Sequence, residues 1–364
     1  MKILQFIYSL VPGGAERFVV DLTNELSDNH NVVLYTLRDD TIANQGFYVS
    51  EISEKVTYKN LKIEPGFKFG LIWSFYKIIK SEKPDVVHCH LNLVNYFFMS
   101  SFLLRNRIRF IYTIHNAANT EVSSGFERLL RRFFYKHGFF IPVAISEETQ
   151  ISYQSFYKLQ NTEVIINGRK FSNKSSQYKN VENEVSTLKK SDKTVTFCHL
   201  ARYDEAQKNQ TMLISVFNKL RDEGYDIILL IMGEGFEDAV DLRSMANDHI
   251  HFLGIKPNAT DYLFATDGFC LSSNFEGMPI SLIEALGCGC VPVCTPVGGI
   301  INTIEHGVTG FLSISVSESD YLEAVKQFIS NRYKINKEKL MSVYNENFSI
   351  EQCAKQYVNL YNKL

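Results

Sequence analysis

The chain predicts an α/β protein built from two similar parallel-sheet units that face each other across a cleft. Three observations carry this reading. Short apolar runs alternate with helical patterns along the 364 residues. A stretch rich in Ser, Asn, Lys and Glu at 170–193 interrupts the alternation, which then restarts. The length suits two domains of ordinary size, each able to bury its own core. Strand, helix and strand in succession imply parallel pairing with both sheet faces covered.

In the first unit, strands are expected at 2–8, 32–37, 85–90, 110–115, 142–146 and 163–167, with helices between them, such as 15–26. The segment 170–193 reads as a linker with an exposed irregular part leading into the second domain. Strands then recur at 195–201, 226–233, 250–254, 268–273 and 291–295, with a helix at 210–223 after the first. Near the end, Cys353, Tyr357, Leu360 and Tyr361 fall at helical spacing. The expected divisions are 1–169, 170–193, 194–345 and a terminal helix at 346–364 that crosses back to the first domain. Ligands of such sheets bind at the loops after the strands.

Composition narrows the function. Hydrophobic residues make up 45% and charged residues 21%, as in soluble globular proteins. The net charge of −2 opposes a nucleic-acid role. The apolar run at the start is too short for a signal peptide, and no run reaches the roughly 18 residues of a membrane span, so a cytoplasmic location is expected. The seven cysteines, an odd number mostly inside apolar strands, fit reduced core thiols. Cys288, Cys290 and Cys294 lack a second ligand pair at zinc-site spacing, so no metal site is expected.

Four motifs carry chemistry. In the segment 274–284, Glu276 and Glu284 stand eight residues apart. Gly277, Met278, Pro279 and Ile280 lie between them, and Pro279 sits where a helix would begin. A helix N-terminus attracts anions, so two acids beside one suit a ligand with both hydroxyls and phosphates. Gly13 and Gly14 form a turn between the first strand and its helix, where backbone can approach a ligand; G-x-G-x-x-G is absent. Arg202 and Lys208 follow the first strand of the second unit and suit a pyrophosphate. His88, His90 and His115 lie at strand ends. Strand-end packing is the favoured reading for the first two, while His115 suits a hydrogen bond donated to a sugar hydroxyl or phosphate. The segment 126–140 forms an amphipathic helix with Arg128, Arg131, Arg132 and Lys136 on one side. That face suits either solvent or anionic lipid.

Taken together, these residues resemble the retaining glycosyltransferases of family 4, which have the GT-B fold of two Rossmann-like domains. The resemblance covers nearly the whole chain: Gly13-Gly14-Ala15-Glu16, Asp85-Val86-Val87-His88, Thr113-Ile114-His115, Ile145-Ser146, Asn167-Gly168, Arg202 with Lys208, Met232-Gly233-Glu234-Gly235, Phe252-Leu253-Gly254, and Glu276 with Glu284. It implies that Glu276 holds hydroxyls of the donor sugar and Glu284 those of the ribose. Arg202 and Lys208 would bind the pyrophosphate with backbone near Gly277 and Met278, and Gly233 and Leu253 would frame the base. His115, Gly13 and Gly14 would reach the sugar and the acceptor. The implied donor is a nucleotide sugar, most often UDP-linked, with no metal or other cofactor. The implied acceptor is a glycan or lipid-linked glycan in surface polysaccharide assembly. One departure stands out: an acid common after Asn-Gly in the family is replaced by Arg169 and Lys170, which suggests an anionic acceptor. Two alternatives stay open: a non-catalytic nucleotide-sugar-binding subunit, and a GT-B sugar-nucleotide 2-epimerase.

Overall fold

A computed structural model describes all residues except Ala43, Phe67, Ser172 and Leu364. The chain forms two compact units, one of Met1–Gly168 with Ile350–Leu364 and the other of Arg169–Ser349.

The first unit holds a sheet of seven strands: β1 (Lys2–Ile7), β2 (Asn31–Thr36), β3 (Thr57–Asn60), β4 (Val86–His90), β5 (Arg109–Ile114), β6 (Ile141–Ala144) and β7 (Glu163–Val164). Their order is β3-β2-β1-β4-β5-β6-β7, and every pair is parallel. Every residue of β4 is buried, as expected of a central strand covered on both faces. The order reverses between β1 and β4, so the loops after these strands diverge and leave a crevice, the usual ligand position in such sheets. His90 and His115 both stand at this carboxyl edge.

The second unit holds six strands: β8 (Val195–Leu200), β9 (Ile227–Met232), β10 (Ile250–Gly254), β11 (Gly268–Leu271), β12 (Val291–Cys294) and β13 (Phe311–Leu312). Their order is β10-β9-β8-β11-β12-β13, again parallel, with the reversal between β8 and β11. The loops that carry Arg202, Lys208 and Glu276 follow these two strands.

Three elements differ from expectation. β3 is an edge strand of half-exposed polar residues, and β13 has two residues, so neither gives an apolar run. The segment 170–193 is not a linker. It contains the helix Tyr178–Leu188, which buries Val181 and Val185 one turn apart. The Tyr262 hydroxyl donates to Glu184 Oε2 at 2.7 Å and so ties this helix to Ala259–Ala265. Two buried valines in a polar sequence give too narrow a stripe to read as a helix. The terminal helix, Ile350–Asn362, belongs to the first unit. Its Tyr361 hydroxyl meets His88 Nδ1 at 2.8 Å, and its Tyr357 hydroxyl meets Thr113 Oγ1 at 2.9 Å. Among the described residues, no helix is long and apolar enough to cross a membrane.

Candidate active site

Two loops of the second unit converge on Glu276. After β8 the chain makes the one-turn helix Glu205–Lys208, capped by Asp204 Oδ1, which accepts from the Gln207 amide at 3.1 Å. Asn209 then takes a left-handed conformation with φ of 52° and starts the helix Gln210–Asp222. This double turn presents Gln207 and Lys208 to the loop after β11. Glu276 Oε1 accepts from Lys208 Nζ at 2.5 Å and from Ser273 Oγ at 2.6 Å. Glu276 Oε2 accepts from Gln207 Nε2 at 3.3 Å. Gln207 Oε1 in turn accepts from Arg202 Nη2 at 3.1 Å, and Asp204 Oδ2 accepts from the same nitrogen at 3.0 Å. Arg202, Gln207, Glu276 and Lys208 therefore form one connected network. The Lys208–Glu276 pair is largely buried, whereas the Arg202 guanidinium is mostly exposed and open to a ligand.

Gln207 and Ser273 were not among the expected site residues. Neither belongs to a spacing pattern; the one available signal was their adjacency to Lys208 and Glu276.

Two glycines let the backbone close around this network. At Gly298, with φ of +54°, a Cβ would lie 2.1 Å from the Glu276 carbonyl oxygen. At Gly233, with φ of +152°, a Cβ would lie 1.9 Å from the Ala201 carbonyl oxygen. The Gly233 amide donates to the Gly254 carbonyl at 3.0 Å, which ties the loop after β9 to Leu253 and Gly254. Beside it, Phe236 packs on Tyr203 and Phe252 with ring centroids 5.7 and 5.6 Å apart.

The helix Ile280–Gly287 follows the loop, with Pro279 extended at its N-cap and Gly277 and Met278 buried just before it. Its first turn has no acidic residue, so no local carboxylate offsets the positive dipole end. Glu284 lies one turn in. Its Oε1 accepts from Arg169 Nε at 2.7 Å in a pair that buries nearly all of Arg169. This corrects the reading of Arg169 as a cation for an anionic acceptor: its charge is held by Glu284.

In the first unit, Gly13 caps the helix Gly14–Ser27, and its carbonyl accepts from the Arg17 amide at 3.0 Å. A Cβ on Gly13 would lie 2.3 Å from Glu16 Oε2, so a side chain there would have to displace the Glu16 carboxylate. His88 and His90 are wholly buried; His88 bonds to Thr113 in the sheet and to Tyr361 on the terminal helix, and His90 bonds to Gln5. His115 Nε2 lies 3.1 Å from His90 Nδ1. Burial pushes His115 down to about 3, so its ring is neutral near pH 7. Among the described residues, no group of three or more His, Cys, Asp or Glu side chains is placed to hold a metal. The cysteines are free thiols, and burial raises those of Cys288, Cys290 and Cys294.

The amphipathic helix, Gly125–Lys136, departs from expectation: its arginines are held by the protein and much of its apolar face is exposed. Arg131 is fully buried and donates to Glu127 Oε1 at 2.7 Å and to Asn95 Oδ1 at 3.1 Å. Arg128 Nη2 donates to the Phe156 carbonyl at 2.6 Å, and Arg132 Nε to the Tyr157 carbonyl at 2.7 Å. Those carbonyls end the helix Glu147–Tyr157, where cations satisfy the last acceptors. Phe134 and Leu130 pack on the core, but the other apolar residues face outward: Phe126 is 77%, Leu129 67% and Phe133 47% exposed. Of the four expected membrane cations, three are held by the protein and Lys136 is exposed.

Comparison with known proteins agrees with this architecture. Residues 12–170 match the family described as Glycosyltransferase Family 4, and residues 180–347 match Glycosyl transferases group 1. The chain is 24% identical over 314 residues to N-acetyl-alpha-D-glucosaminyl L-malate synthase of Bacillus anthracis, covering 82% of this chain and 79% of that one. It is 23% identical over 368 residues to the capsular polysaccharide biosynthesis glycosyltransferase CapH of Staphylococcus aureus, covering 92% and 93%. It is 26% identical over 309 residues to N-acetylgalactosamine-N,N'-diacetylbacillosaminyl-diphospho-undecaprenol 4-alpha-N-acetylgalactosaminyltransferase of Campylobacter jejuni, covering 80% and 79%. Among solved structures, Anabaena Alr3699/HepE in complex with UDP and glucose superimposes with a TM-score of 0.83 at 18% identity, covering 100% of both chains.

Proposed function

Since this chain belongs to the family 4 glycosyltransferases, with the GT-B fold, we propose that it is a retaining, metal-independent hexosyl- or N-acetylhexosaminyltransferase. Its donor is a UDP-sugar and its acceptor a hydroxyl of a glycan or lipid-linked glycan in surface polysaccharide assembly. The observation that carries this reading is the network joining Arg202, Gln207, Lys208 and Glu276 on the carboxyl-end loops of β8 and β11. The UDP bound by HepE, the undecaprenol-linked acceptor of the Campylobacter relative and the capsular role of CapH support the choice of substrates.

In this reading, Arg202 and Lys208 bind the pyrophosphate and stabilise the charge that grows as it departs. One unit-charge pair at 4 Å in an effective dielectric near 20 gives about 4 kcal/mol before desolvation. The backbone of Gly277, Met278, Pro279 and Ile280 lines the donor, Gly233 and Leu253 frame the base, and Gly14 is a candidate donor contact of the first unit. Glu284 offers the ribose the oxygen that Arg169 does not hold. Glu276, oriented by three donors, holds sugar hydroxyls, and neither it nor Glu284 is assigned as a covalent nucleophile. Retention then follows from attack on the face the diphosphate leaves. The bond from C1 to the phosphate oxygen breaks, the bond from C1 to the acceptor oxygen forms, and the acceptor proton passes to the departing phosphate. His115, Gly13 and Gly14 are the first unit's candidate contacts for the sugar and the acceptor.

A lipid-linked acceptor also calls for a membrane-facing surface. The exposed Phe126, Leu129 and Phe133, with exposed Phe102 and Leu103, support one. Phe102 and Phe133 both pack on Phe139, with centroids 5.5 and 6.0 Å apart, so the two helices form one patch. Exposed Arg105, Arg107 and Lys136 flank it, and residues 98–140 hold seven Arg or Lys against two Glu. Apolar insertion beside cations fits an anionic bilayer.

The test is a thermal-shift screen with UDP, GDP and ADP, followed by turnover of UDP-sugars. UDP should stabilise the protein, and Arg202→Ala or Lys208→Ala should lower turnover at least ~100-fold, the loss expected for a transition-state charge contact. Near-normal turnover in both folded variants would remove the pyrophosphate assignment. Donor alone separates the alternatives: an epimerase converts it without acceptor, and a non-catalytic subunit leaves it intact even with acceptor present.

A further inference from the structure

The first unit contains a hydrogen-bonded relay with a defined direction. Gln5 Oε1, on β1, lies 2.7 Å from His90 Nε2 on β4. His90 Nδ1 lies 3.1 Å from His115 Nε2, just after β5. Both imidazoles are neutral, because burial lowers His90 well below its ordinary value and His115 to about 3. A neutral imidazole has one N–H and one bare nitrogen. The Gln5 carbonyl oxygen can only accept, so the His90 proton sits on Nε2 and leaves Nδ1 bare. His115 must then donate from Nε2, which leaves its own Nδ1 without a proton.

The orientation of the Gln5 amide fixes the direction. Gln5 Nε2 is buried and makes no hydrogen bond. The amide oxygen is the atom that faces His90.

We infer that Gln5 and His90 are positioning residues that lock His115 as the Nε2–H tautomer, so that His115 presents a hydrogen-bond acceptor, Nδ1, to its ligand. This reverses the donor role expected from the sequence. A bare nitrogen accepts from a sugar hydroxyl and repels a phosphate oxygen, which has no proton to give. His115 thereby selects for a hydroxyl at the position it meets. The inference rests on the reading that His115 faces the sugar.

The tautomer can be read without turnover. In protein labelled with ¹⁵N-histidine, long-range proton–nitrogen correlation should show a protonated Nε2 and a bare Nδ1 for His115. A protonated Nδ1 in the wild type would overturn the relay. In Gln5→Met, which removes the amide but keeps the length, His115 should become a mixture of tautomers. Its kcat/KM should fall about tenfold, the scale of one lost hydrogen bond. Gln5→Glu, which still accepts, should restore the single tautomer. An unchanged His115 tautomer in folded Gln5→Met would also sink the proposal. Addition of UDP-N-acetylglucosamine and UDP-glucose tests the underlying reading separately. If the tautomer is as inferred but neither moves the His115 signals, the relay stands and the donor-facing role of His115 falls.

Discussion

At Glu276, one carboxylate receives three hydrogen bonds from three different residues, so its orientation is set before any ligand arrives. Gln207 is the joint of this arrangement because it touches both Glu276 and Arg202. Gln207→Ala should leave the fold intact and lower kcat about tenfold through loss of positioning, with Arg202 freed to pair with Asp204 alone. Steady-state kinetics beside a thermal melt would check this, and an unchanged kcat would show that Lys208 and Ser273 suffice. Arg131 is a different case. It is a buried cation matched by Glu127, and Arg131→Met leaves that carboxylate without its charge partner. The expected cost is about 3–5 kcal/mol, measurable by urea unfolding. The acids at 276 and 284 and the cations at 202 and 208 were legible because charge at fixed spacing beside a helix start is a pattern. Gln207 and Ser273 were not, because a neutral side chain in a loop acquires its role only when a second loop is folded against it.

At the scale of elements, the helix Gly125–Lys136 shows what periodicity leaves open. The 3.6-residue period reveals two faces but does not say which one is buried. Here the deciding factor is elsewhere in the chain: the carbonyls that end Glu147–Tyr157 need donors, and arginines supply them. Membrane affinity, if it resides here, belongs to the apolar face. Phe126, Leu129 and Phe133 changed together to Ser should abolish sedimentation with vesicles of phosphatidylglycerol and phosphatidylcholine, whereas Lys136→Ala should only weaken it. Equal binding by the triple variant and the wild type would exclude this surface. Most strands were legible as apolar runs because parallel strands are buried on both faces. β3, β13 and Tyr178–Leu188 escaped notice because edges and short helices bury too little to leave a pattern.

Across the whole molecule, acid should act unevenly. Burial lowers His30, His249 and His251, and it pushes His88, His90 and His115 in the first unit and His199 in the second furthest below their ordinary value. Unfolded, each takes up a proton near pH 6.5; folded, it stays neutral until the pH is much lower. Their contribution to stability is therefore complete above about pH 6.5 and declines as the pH falls, by up to about 1.4 kcal/mol per pH unit for each histidine. Hydrogen exchange at pH 7.5 and 5.5 should show the first unit losing more protection than the second. Equal loss in both would mean that the histidines are not the cause.

The terminal helix gives this molecule an order of assembly. The second unit is continuous in sequence, whereas the first is begun at Met1 and closed only by Ile350–Asn362. On a ribosome, the early sheet must wait with His88 and Thr113 lacking the Tyr361 and Tyr357 hydroxyls that they meet in the finished structure. The second unit, although made later, is complete in sequence before the helix that closes the first is made. A nascent chain stalled before residue 350 should thus present a protease-resistant second unit behind an unfinished first one, and the apolar patch of that waiting unit is what a chaperone would meet.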